Sequence, residues 1–288
     1  MTVLELIERS SARLEQAGVS FGHGTDNAFD EAAWLVLWRL GLPLDGLDAV
    51  AQRQLDDTQS AAAEALIGER ITTRKPTAYL TREAWLQGVP FYVDERTIVP
   101  RSLIAEVIAD GTLDAWVPSN LRRALDLCTG NGSLAVLMAL AWPEAQVDAA
   151  DISQDALDVA RINVDRHGLS ARIRLVRSDA FEGLPDRYDL IACNPPYVNA
   201  QSMAGLPAEF RAEPASALAG GPDGMDFIRR LLRDVPARLN DGGIVVLEIG
   251  HERDHFDAAF PGLAVIGLPT SLGDDQVLLL TRDALVQR

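Results

Sequence analysis

Lysine is almost missing from this chain: Lys75 is the single one in 288 residues, so 25 of the 26 basic side chains are arginine. Acids outnumber bases 42 to 26, and the formal net charge is −16. No basic run is present on which phosphate could be held, which argues against non-specific nucleic-acid binding and gives no expectation of sequence-specific binding. The balance suits a basic partner, because opposite fields speed encounter, and it equally suits a charge that serves solubility alone. Cysteine is scarce as well. Cys128 and Cys193 lie far apart and match no metal spacing. The reading is a reduced, cytoplasmic protein with two small strand-end thiols. No apolar run reaches the roughly 18 residues that cross a bilayer. Met1 to Arg9 already mixes acids with apolar residues, unlike a secretory leader. Internal repeats and low-complexity tracts are also lacking.

What is present is 48% hydrophobic and 24% charged, the balance of a globular protein able to bury a core without disulfides or metal. The length suits a catalytic domain plus a smaller partner. The first part reads as helices. Val3, Leu4, Leu6, Ile7 and Leu14 share one face. Asp26 is placed to cap a second helix carrying Phe29, Ala33, Trp34, Leu37 and Leu40, and a third spans Asp57 to Thr73. Trp34 and Trp38, four apart, are expected in the core. Ala84 to Gln87 and Phe91 to Val93 read as a hairpin around Gly88-Val89-Pro90. Arg96 to Arg101 follows as an extended piece, and Ser102 can cap a helix through Ile108.

From Arg122 onward strand-like and helical runs alternate. The strands are Ala124–Leu127, Gln146–Ala150, Ile173–Val176, Tyr188–Cys193, Gly243–Ile249 and Val277–Leu280. The helices are Ser133–Ala141, Asp155–His167, Asp226–Leu239 and part of His251–Phe260. Such alternation predicts an α/β fold, a parallel sheet with helices on both faces.

Asp126-Leu127-Cys128-Thr129-Gly130-Asn131-Gly132-Ser133 ends a strand and opens a helix. Gly130 and Gly132 allow a sharp turn and close approach to a ligand. The helix start offers free N–H groups to an anion, such as the carboxylate of S-adenosyl-L-methionine. Asp151 ends the next strand, 25 residues after Asp126, where a carboxylate accepts from ribose hydroxyls. Asp179 ends the third, placed for an adenine amine, with Ala180 and Phe181 beside it. Gly130, Gly132 and Ala135 also satisfy the dinucleotide fingerprint, so an NAD enzyme stays open on this half. A purely structural turn stays open as well.

The fourth strand runs straight into Asn194-Pro195-Pro196-Tyr197. Two prolines remove two backbone donors and fix φ. What remains is a rigid pair of acceptors, the Asn194 side-chain oxygen and the Pro195 carbonyl. A planar NH₂ is a poor nucleophile because its lone pair is delocalised. Two acceptors can hold it and aim that lone pair, and Tyr197 can close over its plane. Glutamine and adenine both present such a group, and an enzyme acting on a flipped adenine would need a basic surface. His251-Glu252-Arg253-Asp254-His255 matches H-E-x-x-H literally, which keeps a zinc metalloprotease as a minor alternative. No metal is expected, and Glu209 and Glu213 read as exposed loop acids.

Taken together the residues resemble the HemK-like protein glutamine methyltransferases. The resemblance runs over most of the chain: Asp126–Ser133, Asp151, Ser178-Asp179, Asn194–Tyr197, Gly220-Gly221-Pro222-Asp223-Gly224 and Glu248-Ile249-Gly250. Ala78-Tyr79-Leu80-Thr81, Phe91 to Arg96, Val99-Pro100-Arg101-Ser102 and Glu209 to Pro214 are more similar to the branch acting on the third protein of the large ribosomal subunit than to the release-factor branch. Leu103 and Ala180 depart from the usual pattern. The resemblance implies a seven-stranded Rossmann-like class I methyltransferase domain over residues 111–288. It also implies a small helical substrate-recognition domain over 1–77 and a hairpin connector over 78–110. It implies S-adenosyl-L-methionine as cofactor and a basic ribosomal protein as partner. By the same resemblance Asp126, Cys128, Thr129, Gly130, Asn131, Gly132, Asp151, Asp179, Ala180 and Asn194 surround the cofactor. Asn194 to Tyr197 hold the amide, and Phe91 and Arg101 lie at the substrate entrance.

Overall fold

The computed structural model describes residues 1–287. Five helices open the chain: α1 (Val3–Gln16), α2 (Ala28–Arg39), α3 (Leu47–Val50), α4 (Asp57–Thr73) and α5 (Thr77–Thr81). A capping box starts α1: the Thr2 hydroxyl accepts from Glu5 N at 3.1 Å, and the Glu5 carboxylate accepts from Thr2 N at 2.8 Å. The cap of α2 is Asn27, one residue beyond Asp26. Its amide accepts from Asp30 N at 2.9 Å and also donates to the Asp30 carboxylate, a second bond that an aspartate cannot make. Leu6, Ile7 and Leu14 of α1 meet Ala32, Leu35 and Val36 of α2 and Ile67 of α4 in one buried cluster. Each buried aliphatic side chain there is worth about 1.5–3 kcal/mol. Trp34 and Trp38 flank that face instead of filling it. Trp34 packs sideways on the cluster of Ala78, Tyr79 and Ala84, and Trp38 is 37% exposed.

The hairpin is β1 (Ala84–Leu86) with β2 (Val89–Phe91), paired antiparallel. Its turn is Gln87-Gly88, both at positive φ, and not the expected Gly-Val-Pro. A two-residue turn with left-handed residues matches strand twist, and Pro90 is tolerated because β2 is an edge. Residues 96–101 form a turn and an irregular segment, not a strand, and α6 (Ile104–Ala109) follows.

The remaining elements are β3 (Arg123–Leu127), α7 (Ser133–Ala141), β4 (Gln146–Asp151), α8 (Gln154–Arg166), β5 (Ile173–Arg177), β6 (Tyr188–Cys193), α9 (Ala200–Gly205), α10 (Ala208–Arg211), α11 (Asp226–Asp234), β7 (Leu239–Glu248), α12 (Arg253–Ala259), β8 (Ile266–Gly267), β9 (Val277–Thr281) and α13 (Arg282–Val286). Seven strands join in the order β5-β4-β3-β6-β7-β9-β8, parallel except for β9, which runs antiparallel to both neighbours. This is the Rossmann-like class I methyltransferase arrangement. Side chains alternate between two cores: Ala124, Val147, Leu190 and Val246 on one face, Leu125, Leu127, Ile191 and Val245 on the other. Burial on both faces is why these strands read as mostly apolar runs.

Candidate active site

The order of the sheet reverses between β3 and β6, and open α/β sheets bind ligands beyond the carboxyl ends of strands at that point. Register puts Leu127 opposite both Ala150 and Cys193. Cys128, Asp151 and Asn194 therefore emerge side by side. A cavity of about 490 Å³ opens there, within the range of small-molecule sites.

Three left-handed residues shape the loop after β3: Cys128, Gly130 and Gly132, at φ 64°, 54° and 81°. Thr129 N donates to Ala150 O at 3.0 Å and Gly130 N to the Asp151 carboxylate at 3.0 Å. Beneath the loop, Asp126 accepts from the Thr129 hydroxyl at 2.5 Å and from Ala135 N at 2.9 Å. Burial raises its carboxyl to about 7, with those two bonds pulling the other way. Asp126 braces the loop from below and does not line the cavity. Gly132 also stands behind the wall, where a Cβ would come within 3.1 Å of Ala160 Cβ on α8. Cys128, Thr129, Gly130 and Asn131 do line it.

Whether these groups suit S-adenosylmethionine is decided by their unused polar capacity. The Asn131 side chain is buried on the cavity wall, and its amide nitrogen has no partner among the described residues. It is a donor available to a carboxylate. Asp151 accepts one backbone N–H on each oxygen, from Ser153 and Gly130, and burial raises its pKa. Each oxygen retains a lone pair for a hydroxyl. Asp179 lines the far end, its carboxylate held by Arg230 at 2.7 Å, beside Ala180, Ile152 and Phe227. A donor, a diol acceptor and an apolar slot with an acid at its end fit an amino-acid-bearing nucleoside. Phe227 and Arg230 were not anticipated from sequence, although their spacing on the amphipathic α11 places both on one face.

On the acceptor side, Asn194 and Pro196 line the cavity. Among the described residues no side-chain or loop hydrogen bond engages the Asn194 amide. Pro195 is buried. Tyr197 turns away from the cavity. Its ring rests on Gly250, and its hydroxyl donates to Glu248 at 3.1 Å. Glu248, fully buried, also accepts from the Ser102 hydroxyl at 2.5 Å and Leu103 N at 3.0 Å. Burial raises its pKa, against those bonds. Glycines hold the Tyr197 backbone: a Cβ on Gly220 would lie 2.7 Å from Tyr197 Cα, and one on Gly224 would strike the Tyr197 carbonyl oxygen. That crowding explains Gly220 and Gly224.

Arg101 lines the cavity, whereas Phe91 is buried in the sheet core against His167 and does not reach the mouth. The apolar pattern that made Phe91 a strand residue also faces it inward. Glu209 and Glu213 are buried, contrary to the reading as exposed loop acids. Glu209 meets Arg70 at 3.4 Å and Arg74 at 3.2 Å, and Glu213 meets Arg101 at 2.7 Å. Cys128 is half-buried on the cavity wall, and the neighbouring Cys193 thiol and desolvation raise its pKa and keep it protonated. In the H-E-x-x-H segment, α12 begins only at Arg253, so His251 precedes the helix. Glu252 is held by His255 at 2.5 Å and by Asn199 at 2.7 Å. No three side chains suited to a metal gather among the described residues.

Residues 112–224 match the family described as methyltransferase small domain. Over 287 residues the chain is 54% identical to the ribosomal protein uL3 glutamine methyltransferase of Bordetella pertussis, covering 99% of this chain and 96% of that one. Its likeness to the enzyme of the same name from Burkholderia pseudomallei is 52% over 289 residues, covering 97% and 94%. Among solved structures, the human Mettl16 catalytic domain, crystallised with an RNA hairpin, superposes with a TM-score of 0.52. It shares 16% identity, over 78% of this chain and 81% of that one, a likeness of fold alone.

Proposed function

The chain belongs to the ribosomal protein uL3 glutamine methyltransferases, and from that premise we propose that it methylates the side-chain amide nitrogen of a glutamine in uL3 in the cytoplasm. S-adenosylmethionine, when bound, supplies a methyl group made electrophilic by a positive sulfur. Asn131, Asp151 and Asp179 hold that cofactor by its carboxylate, ribose and adenine, in the cradle after β3. The observation that carries the reading is the unengaged Asn194 amide at the end of β6, followed by two prolines. Asn194 Oδ1 and the Pro195 carbonyl each accept one N–H of the acceptor. The glutamine nitrogen is thereby fixed with its lone pair facing the cofactor, and orientation supplies the rate. Tyr197, tied to Glu248, holds the turn that aims both acceptors. The helical residues 1–77 receive the protein substrate.

The test is methyl transfer from labelled cofactor into purified uL3, a release factor and an adenine-containing oligonucleotide, with the modified residue located by mass spectrometry. Label on a uL3 glutamine is expected. Label only on the release factor would move the chain to the other branch, and label on adenine would overturn the glutamine assignment. Asn194→Ala is expected to keep the native melting temperature and cofactor affinity while transfer falls at least about 10²-fold. Undiminished transfer would remove Asn194 from its role.

A further inference from the structure

Glu213 lies outside the motifs that carry the chemistry, yet two distant pieces of chain converge on it. Its carboxylate is fully buried. One oxygen accepts from Val99 N at 2.8 Å and from Arg101 Nη1 at 2.7 Å, and the other accepts from Arg101 Nη2 at 2.8 Å. His23 Nε2, from the turn between α1 and α2, stands 3.5 Å away. The Phe210 ring, three residues earlier, packs tilted against His23 at 4.2 Å and lies 5.4 Å beneath the Arg101 guanidinium. Fork-to-fork pairing of this kind fixes direction as well as distance.

The segment so held forms the wall facing Asn194. Pro100, Arg101 and Ser102 line the cavity, and Ser102 passes the constraint to Glu248 and so to Tyr197. Pro214, next to Glu213, lines the same cavity from the loop after α10. One carboxylate thus sets the separation between the connector wall and the loop wall of the acceptor chamber. The cofactor cradle has its own braces in Asp126 and Asn163, and no hydrogen bond among the described residues joins it to Glu213.

We infer that Glu213 is the positioning residue of the acceptor chamber: through Val99 N–H and Arg101 it fixes the wall against which the glutamine side chain is seated, without touching cofactor or acceptor. The inference rests on the glutamine methyltransferase reading for its kinetic readout alone.

Glu213→Asp is the informative variant. It keeps the charge opposite Arg101 but withdraws the carboxylate by one bond length, about 1.5 Å. It can no longer hold Val99 N–H and both guanidinium nitrogens together. With the full chain and purified uL3, kcat is expected to fall about 10²-fold, as for a misplacement near 1 Å, with KM for the cofactor unchanged within twofold. Glu213→Gln is expected to lose more, since it leaves Arg101 uncompensated. Amide exchange of residues 97–103, followed by mass spectrometry with the demethylated cofactor product bound, is expected to quicken in Glu213→Asp while residues 126–135 keep native protection. This second measurement needs no methyl acceptor. Unchanged exchange over 97–103 would overturn the inference even if wild-type protein failed to methylate uL3, a failure that would count against the proposed function instead. A parallel loss of cofactor affinity and loop protection would also overturn it, by making Glu213 a general fold residue. So would native kcat with uL3.

Discussion

At the scale of single residues the site divides into groups that a sequence can announce and groups that only folding reveals. Asp151 and Asn194 each end an apolar strand and Asp179 follows two residues after β5, so their place at the sheet's ligand-binding edge follows from the strands themselves. Glu209 sits on the one-turn α10 and Glu213 just beyond it, in a stretch with no apolar pattern to mark it. Nothing nearby in sequence shows that Arg70 and Arg101, more than a hundred positions earlier, will enclose them. Their burial has a measurable consequence. Burial alone would raise the Glu213 pKa, but His23 and Arg101 more than reverse this and hold it at about 2. A carboxylate depressed on folding stabilises the native state above its unfolded pKa, and that support is lost as pH falls through the folded value. From the ordinary 4.5 down to about 2 the loss is about 3 kcal/mol. Acid unfolding of the wild type is therefore expected to steepen in that window. Glu213→Gln should be less stable at neutral pH and lack that component. Parallel stability–pH curves for the two proteins would contradict this.

At the scale of elements, Tyr188–Cys193 and Ser133–Ala141 form over the expected residues, because both are apolar runs bounded by clear stops. The two-residue β8 carries too little pattern to be read, and it exists because β9 offers it an edge. Expected Asp226–Leu239 ends as an α-helix at Asp234 and tightens into a 3₁₀ turn at Pro236. A proline in the interior removes one helical hydrogen bond. The least legible element contact is made by α8. Its fully buried Asn163 accepts from Tyr92 N at 2.7 Å and donates to Tyr92 O at 2.9 Å and Asn131 O at 2.8 Å. One amide ties the segment after the hairpin to the glycine loop. Asn163→Ala leaves those buried groups unpaired, at a cost of about 1–3 kcal/mol. A melting temperature lower by several degrees and weaker cofactor binding are expected. A variant with native values for both would show that the tie is dispensable.

For the whole molecule, the net charge of −16 sets how partners approach. On the proposed reading, a ribosomal protein of opposite charge would be drawn in by that field, and screening weakens such an attraction over about 10 Å at 0.1 M salt. kcat/KM for uL3 is therefore expected to fall as salt rises from 50 to 300 mM, with kcat at saturating uL3 nearly constant. A flat salt profile would mean that the overall charge plays no part in encounter. No helix among the described residues is long and apolar enough to cross a membrane. The whole-molecule feature with the widest reach is the segment between β6 and α11. Glu209 on α10 is enclosed by Arg70 and Arg74 of the amino-terminal helices, while Glu213 four residues on grips the acceptor wall. On the proposed reading, in which the helices receive the protein substrate, recognition and chemistry are not separable cassettes. A lineage that exchanged its helical portion for one suited to another client would have to bring matching arginines, or rewrite this loop at the same time. Inheritance of substrate choice is thus bound to inheritance of the catalytic chamber.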